Sequence, residues 1–568
     1  MSPLDSWVYR ERKQLAHGGS LLRALERSLS EIRRLRASEG KRRAAIEALV
    51  SAGELEAALA DAADPLEEAV AQATDALAAV AIGSPVDLSV SAEALAHARA
   101  PRSLAIRPPE GFACGALHPQ AYACVSELVD TPEALVIGVR SIGTTLSAVT
   151  AAALRARGVT ARRLTVRPDG PPAHRRVTLG HEASEAIARA RERGATVVVV
   201  DDVPGPNGSS FLATGEAVVA AGVPRERVVL LGGRQVDPDR LRPPSAGERW
   251  RAFRTAVAPS GVFAPVRSAA LDVSGGAWRP LHYACAEHWP AVVEAMERRK
   301  LVAGGRLFKF EGLGSSGHAA RHRASALAAE GIALDPCDEG DGWTSYPWGG
   351  RPMQAGDLDA ALIEHIARYC ARRPALCPLV SAETDLTPVV AGGVAVLLGG
   401  VSVAGSPLAE LIAEGTLAVE RVATTDSRLA PHEWLRMADG SVRKTDAIAH
   451  GDDPLFPGPT DIAWDLAGAI VEWEMDKAAR ERLLAAYRRA SGDDAARRID
   501  AWLVAYAAVR GAFNLFALET CGAAEARRLV REVERYRAVV ASFLVAAPRE
   551  PRGALEPPEP EAPESGRS

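Results

Sequence analysis

Residues 197–210 read Val-Val-Val-Val-Asp-Asp-Val-Pro-Gly-Pro-Asn-Gly-Ser-Ser. Four consecutive β-branched residues suit a strand buried on both faces, as in a parallel sheet. The run ends at two carboxylates, Asp201 and Asp202, and a Gly/Asn/Ser loop then opens a helix expected over 211–221. This order places acids at the carboxyl end of a strand and unpaired N–H groups at a helix N-terminus. The N–H groups suit a phosphate, and the acids suit sugar hydroxyls.

Outward from this stretch the pattern repeats. Residues 135–139 read as a buried strand, 140–145 (Arg-Ser-Ile-Gly-Thr-Thr) as a turn and 146–157 as a helix. A third strand is expected over 161–166, then a basic, Pro/Gly-rich loop over 167–176. A helix over 182–193, the strand 196–200 and a final strand over 227–231 complete the alternation. Right-handed crossovers turn such a series into a doubly wound parallel sheet.

The strand, the acidic pair and the Gly/Ser loop resemble the phosphoribosyl-diphosphate signature of type I phosphoribosyltransferases. That resemblance implies that Asp201 and Asp202 bind ribose and that Asn207, Gly208, Ser209 and Ser210 bind its 5′-phosphate. It implies diphosphate contacts from Arg140, Ser141, Gly143 and Thr144, and a mobile hood bearing Arg175 or Arg176. The co-substrate would be phosphoribosyl diphosphate with Mg²⁺. Two departures stand out: Pro204-Gly205-Pro206 lengthens the loop, and a family threonine is missing.

With 568 residues the chain is too long for one core, and two to four domains are expected. A hydrophobic content of 47% and a charged content of 24% describe a globular protein. The net charge of −5 argues against a nucleic-acid partner. The seven cysteines show no CxxC spacing, so neither a zinc site nor a disulfide framework is indicated, and Cys370 and Cys377 are expected as reduced thiols. Charged residues interrupt the first stretch, so no signal peptide is expected, and residues 388–401 are too short and glycine-rich for an expected membrane span. A cytoplasmic location follows as the expectation.

Leu22, Leu25, Leu29 and Ile32, then Ile46, Leu49, Leu59 and Val70, recur at helical spacing. Residues 1–100 therefore read as a helical hairpin or coiled coil that either dimerises the protein or covers the next domain's sheet. Residues 101–236 form the sheet domain, 237–262 a Pro/Arg-rich linker, 263–545 a second domain, and 546–568 a Pro/Glu-rich disordered tail.

The second domain carries Thr424-Thr425-Asp426-Ser427-Arg428, then Lys444-Thr445-Asp446, then Thr460-Asp461-Ile462-Ala463-Trp464-Asp465-Leu466-Ala467. Together these resemble the C-lobe of the aminoglycoside phosphotransferase and choline kinase-like fold. The resemblance implies a catalytic Asp426, a metal-binding Asp446, and Asp461 and Asp465 as structural acids. Asp452 of His450-Gly451-Asp452 competes with Asp446 for the metal role. The usual His before the catalytic Asp is Thr424, and the metal-binding Asn is replaced by Pro431, His432 or Glu433, of which His432 is a candidate ligand. Lys309, in the alternating strand 306–310, is the candidate nucleotide-phosphate lysine, with ATP as donor. Gly312-x-Gly314-x-x-Gly317 follows that strand, whereas the kinase phosphate loop precedes it, so a strand-to-helix turn is the expectation there.

The expected architecture is multidomain α/β and α+β: a helical N-terminal segment, a doubly wound phosphoribosyltransferase-like domain and a two-lobed kinase-like domain. The expected function is a bifunctional transferase acting on small molecules, able to form a homodimer through its N-terminal helices, with no membrane partner. The competing expectation is a non-catalytic nucleotide or phosphoribosyl-diphosphate sensor containing a pseudokinase.

Overall fold

The computed structural model describes residues 14–107, 109–124, 129–171, 174–205, 207–259, 263–266, 270–376, 385–448 and 460–544. The run Val197–Val200 lies in the middle of a five-stranded parallel sheet. Its order is Thr160–Val166, Glu133–Val139, Thr196–Val200, Val228–Gly232 and Arg254–Val257. Side chains alternate across the sheet. Val197 and Val199 join Ile187, Leu212, Trp250 and Phe253 on one face. Val198 and Val200 join Leu146, Val149 and the N-terminal helices on the other. After the strand Glu133–Val139 the chain first adds Thr160–Val166 on one side, then returns to add Thr196–Val200 on the other. That reversal is a topological switch point, where ligands of open α/β sheets bind, and it lies between Arg140 and Asp201.

The N-terminal helices Gly18–Arg34, Glu39–Asp61, Leu66–Ala81 and Ser89–Ala96 cover the sheet. Glu39–Asp61 and Leu66–Ala81 pack on the helix Ile142–Ala156. The apolar stripe that suggested a dimer is therefore used inside the chain: Leu29, Leu49, Leu59 and Val70 are fully buried by it. The covering role, one of the two expected for these helices, is thus observed, whereas the expected linker 237–262 is corrected. This Pro/Arg-rich stretch forms the helix Pro244–Arg251 and the sheet's edge strand Arg254–Val257 rather than a linker. Trp250 and Phe253 anchor it in the core, and two large apolar side chains outweigh the polar composition around them.

A five-stranded antiparallel sheet follows, in the order Leu271–Asp272, Lys300–Ala303, Arg306–Phe310, Trp343–Pro347 and Cys337–Gly340. Two-residue turns close two of its hairpins. Gly304 and Gly305 have φ of 55° and 74°, and Asp341 and Gly342 have 52° and 81°, the positive values that type I′ turns require. Phe308, Phe310 and Trp343 join the core cluster that also holds the N-terminal helices. The last part is helical. Ala360–Leu376, Thr387–Leu397, Ala463–Glu472, Lys477–Ser491, Ile499–Ala517 and Ala523–Ala541 share a separate core, with a small sheet of Arg351–Pro352, Trp434–Arg436 and Val442–Lys444 beside it. The apolar run near 388–401 is a helix packed in that core, and among the described residues no helix is long and apolar enough to cross a membrane.

Candidate functional site

The antiparallel sheet and the helical part meet around a cavity of about 670 Å³. Lys309 enters it from the strand Arg306–Phe310. It is almost fully buried and ion-paired with Asp446, which itself sits at φ 59°. Glu311 lies 3.9 Å from Lys309, and Lys300 lies 3.6 Å from the second oxygen of Asp446. Burial pulls the Lys309 ammonium down to about 7, against the opposing attraction of Glu311.

Asp426 is held from behind. Its backbone N–H and that of Ser427 donate to the two oxygens of Asp465, at 2.9 and 3.0 Å. Asp461 accepts the N–H groups of Glu420, Arg421 and Ala463 at 2.7 to 2.8 Å. Arg373, fully buried in the helix Ala360–Leu376, donates to the carbonyls of Thr424 at 2.7 Å and Ala447 at 2.8 Å. The loop is therefore fixed by charge-assisted bonds to its backbone, with Ser427 at φ 74°.

Asp426 itself is fully buried and does not line the cavity. One of its oxygens accepts from the Tyr369 hydroxyl and lies 3.2 Å from the Lys444 ammonium. The other has no hydrogen-bond partner among the described residues. Lys444 also donates to Glu433 at 3.0 Å, and Glu433 does line the cavity. A chain Asp426–Lys444–Glu433 thus links the buried acid to the cavity wall. Lys444 and Arg373 were missed in the sequence. Each is the second of two adjacent cations, Arg372-Arg373 and Arg443-Lys444, and only burial tells it from its neighbour.

The residues read as metal ligands are not gathered into one centre. His432 lines the cavity but stacks on Trp278 at 5.7 Å and 19°, and burial, reinforced by Arg428, lowers its pKa to about 3. Asp446 is occupied by Lys309 and Lys300. Among the described residues no three His, Cys, Asp or Glu side chains come together as a metal site. These residues do not fit Mg²⁺ as they stand, because ammonium groups already neutralise the carboxylates. Asp452 lies outside the described residues.

At the parallel sheet only part of the expected site converges. Asp202 lines the same cavity, beside Glu110 and Arg234. Burial raises its carboxyl to about 6, and raises that of Asp201 to about 7. Asp201 accepts the N–H of Asp202 at 2.9 Å and, unlike Asp202, does not line the cavity. Arg140 and Arg167 are engaged by Asp61 of the N-terminal helix, at 3.3 and 2.6 Å, and Arg107 joins them at 2.8 Å. Ser141, at φ 94°, faces this cluster, whereas Gly143 and Thr144 lie in the first turn of the helix Ile142–Ala156. Asn207, Gly208, Ser209 and Ser210 open the helix Ser209–Ala220 away from the cavity; Gly208 abuts Trp250 and the Ser209 hydroxyl donates to Asn207. Gly312 and Gly314 have positive φ, and the Gly314 N–H donates to Glu47, so that turn is a packing joint against the helix Glu39–Asp61.

No protein-family model matches the chain, and no curated protein sequence matches it. Among solved structures, the chain is similar to the choline kinase LicA from Streptococcus pneumoniae, with 14% identity and a TM-score of 0.31 over 43% of this chain and 90% of that one. The macrolide 2′-phosphotransferase MphH from Brachybacterium faecium gives 18% identity and a TM-score of 0.28, covering 42% and 88%. An ethanolamine kinase from Plasmodium vivax gives 11% and 0.29, covering 42% and 79%.

Proposed function

We propose that the part of the chain from residue 271 to 544 is a nucleotide-dependent phosphotransferase acting on a small hydroxylated compound. The observation that carries the reading is the loop 424–427. It hangs from both oxygens of Asp465, and Lys444 joins its Asp426 to the wall of a cavity that also holds Lys309 and Asp446. Phosphoryl transfer asks chiefly for positioning and charge stabilisation. Lys309 and Lys300 supply cations for the phosphate oxygens of ATP. The acceptor hydroxyl oxygen bonds to the γ-phosphorus as the bond from that phosphorus to the bridging oxygen breaks. ADP leaves with the electron pair, and the hydroxyl proton passes to Glu433. Asp426 acts through Lys444 as a positioning residue.

At the sheet end the proposal is binding of an anionic, hydroxylated ligand, not phosphoribosyl transfer, since Asp201 does not line the cavity and Asp61 engages Arg140 and Arg167. The test is ADP release and product formation from ATP with a panel of alcohols and sugars. E433Q is expected to lower kcat by about 10²- to 10⁴-fold, the usual yield of a general base. Turnover at the parent rate in both E433Q and K309M overturns the reading.

A second reading is favoured by Lys444, whose ammonium already compensates both Asp426 and Glu433. In that reading the cavity senses a nucleotide without transferring phosphate. Nucleotide binding abolished by K309M, with no turnover on any acceptor, would select it.

A further inference from the structure

The cavity is not confined to the kinase-like half. One continuous wall carries Lys300, Lys309 and Asp446 from that half and Glu110, Asp202 and Arg234 from the carboxyl end of the parallel sheet. The two halves are knit together around it by the short helix Glu110–Ala113. On one side, Gly111 lies so close to the Asp202 carboxylate that any β-carbon would collide with it. On the other, the Phe112 carbonyl accepts the N–H of Leu313 at 2.9 Å, and the Ala113 carbonyl accepts from Arg298 at 2.8 Å. Gly312 packs directly on Ala113. The sheet end and the lysine end therefore line one shared cleft, open to solvent, whose volume of about 670 Å³ falls within the range of small-molecule pockets.

The chemistry of the two ends differs. The lysine end carries Lys300 and Lys309, both ion-paired with Asp446, as the cations that phosphate oxygens would meet. The sheet end offers two carboxylates, which accept hydrogen bonds from hydroxyls, next to an exposed guanidinium suited to a fork of anionic oxygens.

We infer that the sheet end is the acceptor pocket of the proposed phosphotransferase and selects an anionic polyol, with hydroxyls on Asp202 and Glu110 and the anionic group on Arg234. A free hydroxyl of that compound then points toward the lysine end. The inference rests on the phosphotransferase reading for the acceptor's role, while the binding stands by itself. It makes Asp202, Glu110 and Arg234 specificity-determining residues for chemistry performed in the other half.

The test is calorimetric titration of the full chain with ribose 5-phosphate and, separately, with ADP, in the parent protein and in D202N, R234Q and K309M. Arg234 is exposed, so R234Q leaves folding intact even if D202N does not. The expected result is a tenfold or greater loss of ribose 5-phosphate affinity in D202N and R234Q, with ADP affinity unchanged, and loss of ADP alone in K309M. Equal ribose 5-phosphate affinity in the parent and R234Q, or none in the parent, overturns the inference. So does inorganic phosphate binding as tightly as ribose 5-phosphate, because the hydroxyl contacts would then contribute nothing. Absence of ADP binding beside R234Q-sensitive ribose 5-phosphate binding overturns the phosphotransferase reading and the acceptor role together, while confirming the pocket.

Discussion

Asp201 and Asp202 are carboxylates kept at the end of a buried strand, and their ionisation is opposed by desolvation. Both folded-state values, about 7 and about 6, lie above the ordinary 3.8. The folded chain therefore binds protons more tightly than the unfolded chain between these limits. The resulting stabilisation is complete below the unfolded value and is lost as pH rises through the folded one. In D201N the amide oxygen still accepts the Asp202 N–H, but the titration is gone. The unfolding free energy of the parent, from urea titration, is expected to fall more steeply than that of D201N between roughly pH 4 and pH 8, with the gap changing by on the order of 2–4 kcal/mol. Parallel profiles would show that Asp201 ionises in the fold without penalty. The same titration gives ligand binding a direction, because Asp202 accepts hydroxyls best once ionised, above about pH 6.

Among the elements, the long connection between the strands Leu271–Asp272 and Lys300–Ala303 has the clearest role. It precedes the strand Lys300–Ala303 and acts as a clamp on the cavity. Glu297 accepts from the Gly276 N–H at 2.8 Å, the Trp278 indole at 2.9 Å and Lys300 at 3.2 Å. Trp278, His282 and Met296 roof the cavity. The segment is tied across the cavity to the helix Ala523–Ala541. There Glu525 pairs with the buried Arg279 at 2.9 Å and accepts the Val292 N–H at 2.7 Å. Trp289 lies between the guanidinium groups of Arg279 and Arg528, at 4.9 and 5.2 Å. E525A removes the partner of a buried cation, a change that costs about 3–5 kcal/mol. Its expected signature is faster amide exchange over 276–293 with the parallel sheet unchanged; unaltered exchange there would show that the clamp does not depend on this pair.

For the whole molecule, the N-terminal helices, one face of the parallel sheet and the antiparallel sheet bury one continuous core. A chain beginning at residue 108 would expose the partners of Leu29, Leu49, Leu59, Val70 and Leu77, all fully buried. At about 1.5–3 kcal/mol for each large side chain, the loss approaches or exceeds the 5–15 kcal/mol by which a domain is normally stable. Such a truncation is expected to lack a cooperative thermal transition; a sharp one would make residues 1–100 an independent unit after all. Local information was enough for the central strands, because four valines in a row, or Leu-Val-Ile-Gly-Val, have no comfortable place except a sheet covered on both faces. Asp461 and Asp465, expected as structural acids, do accept backbone N–H groups around the loop and the helix start. Local information was not enough for 237–262, where Trp250 and Phe253 are only two residues among prolines and arginines and their value depends on a sheet edge far away in the chain. Nor did it reveal that Asp201 and Asp202 part company, that Asp61 holds Arg140 and Arg167, or that Lys444 stands between Asp426 and the cavity. The sequence by itself determined the central strands and the acids that mark their ends, since periodicity and turn chemistry act over a few residues. Which of those acids face the cavity, and which cations neutralise them, only the tertiary structure decided, because burial and ion pairing join groups tens to hundreds of residues apart.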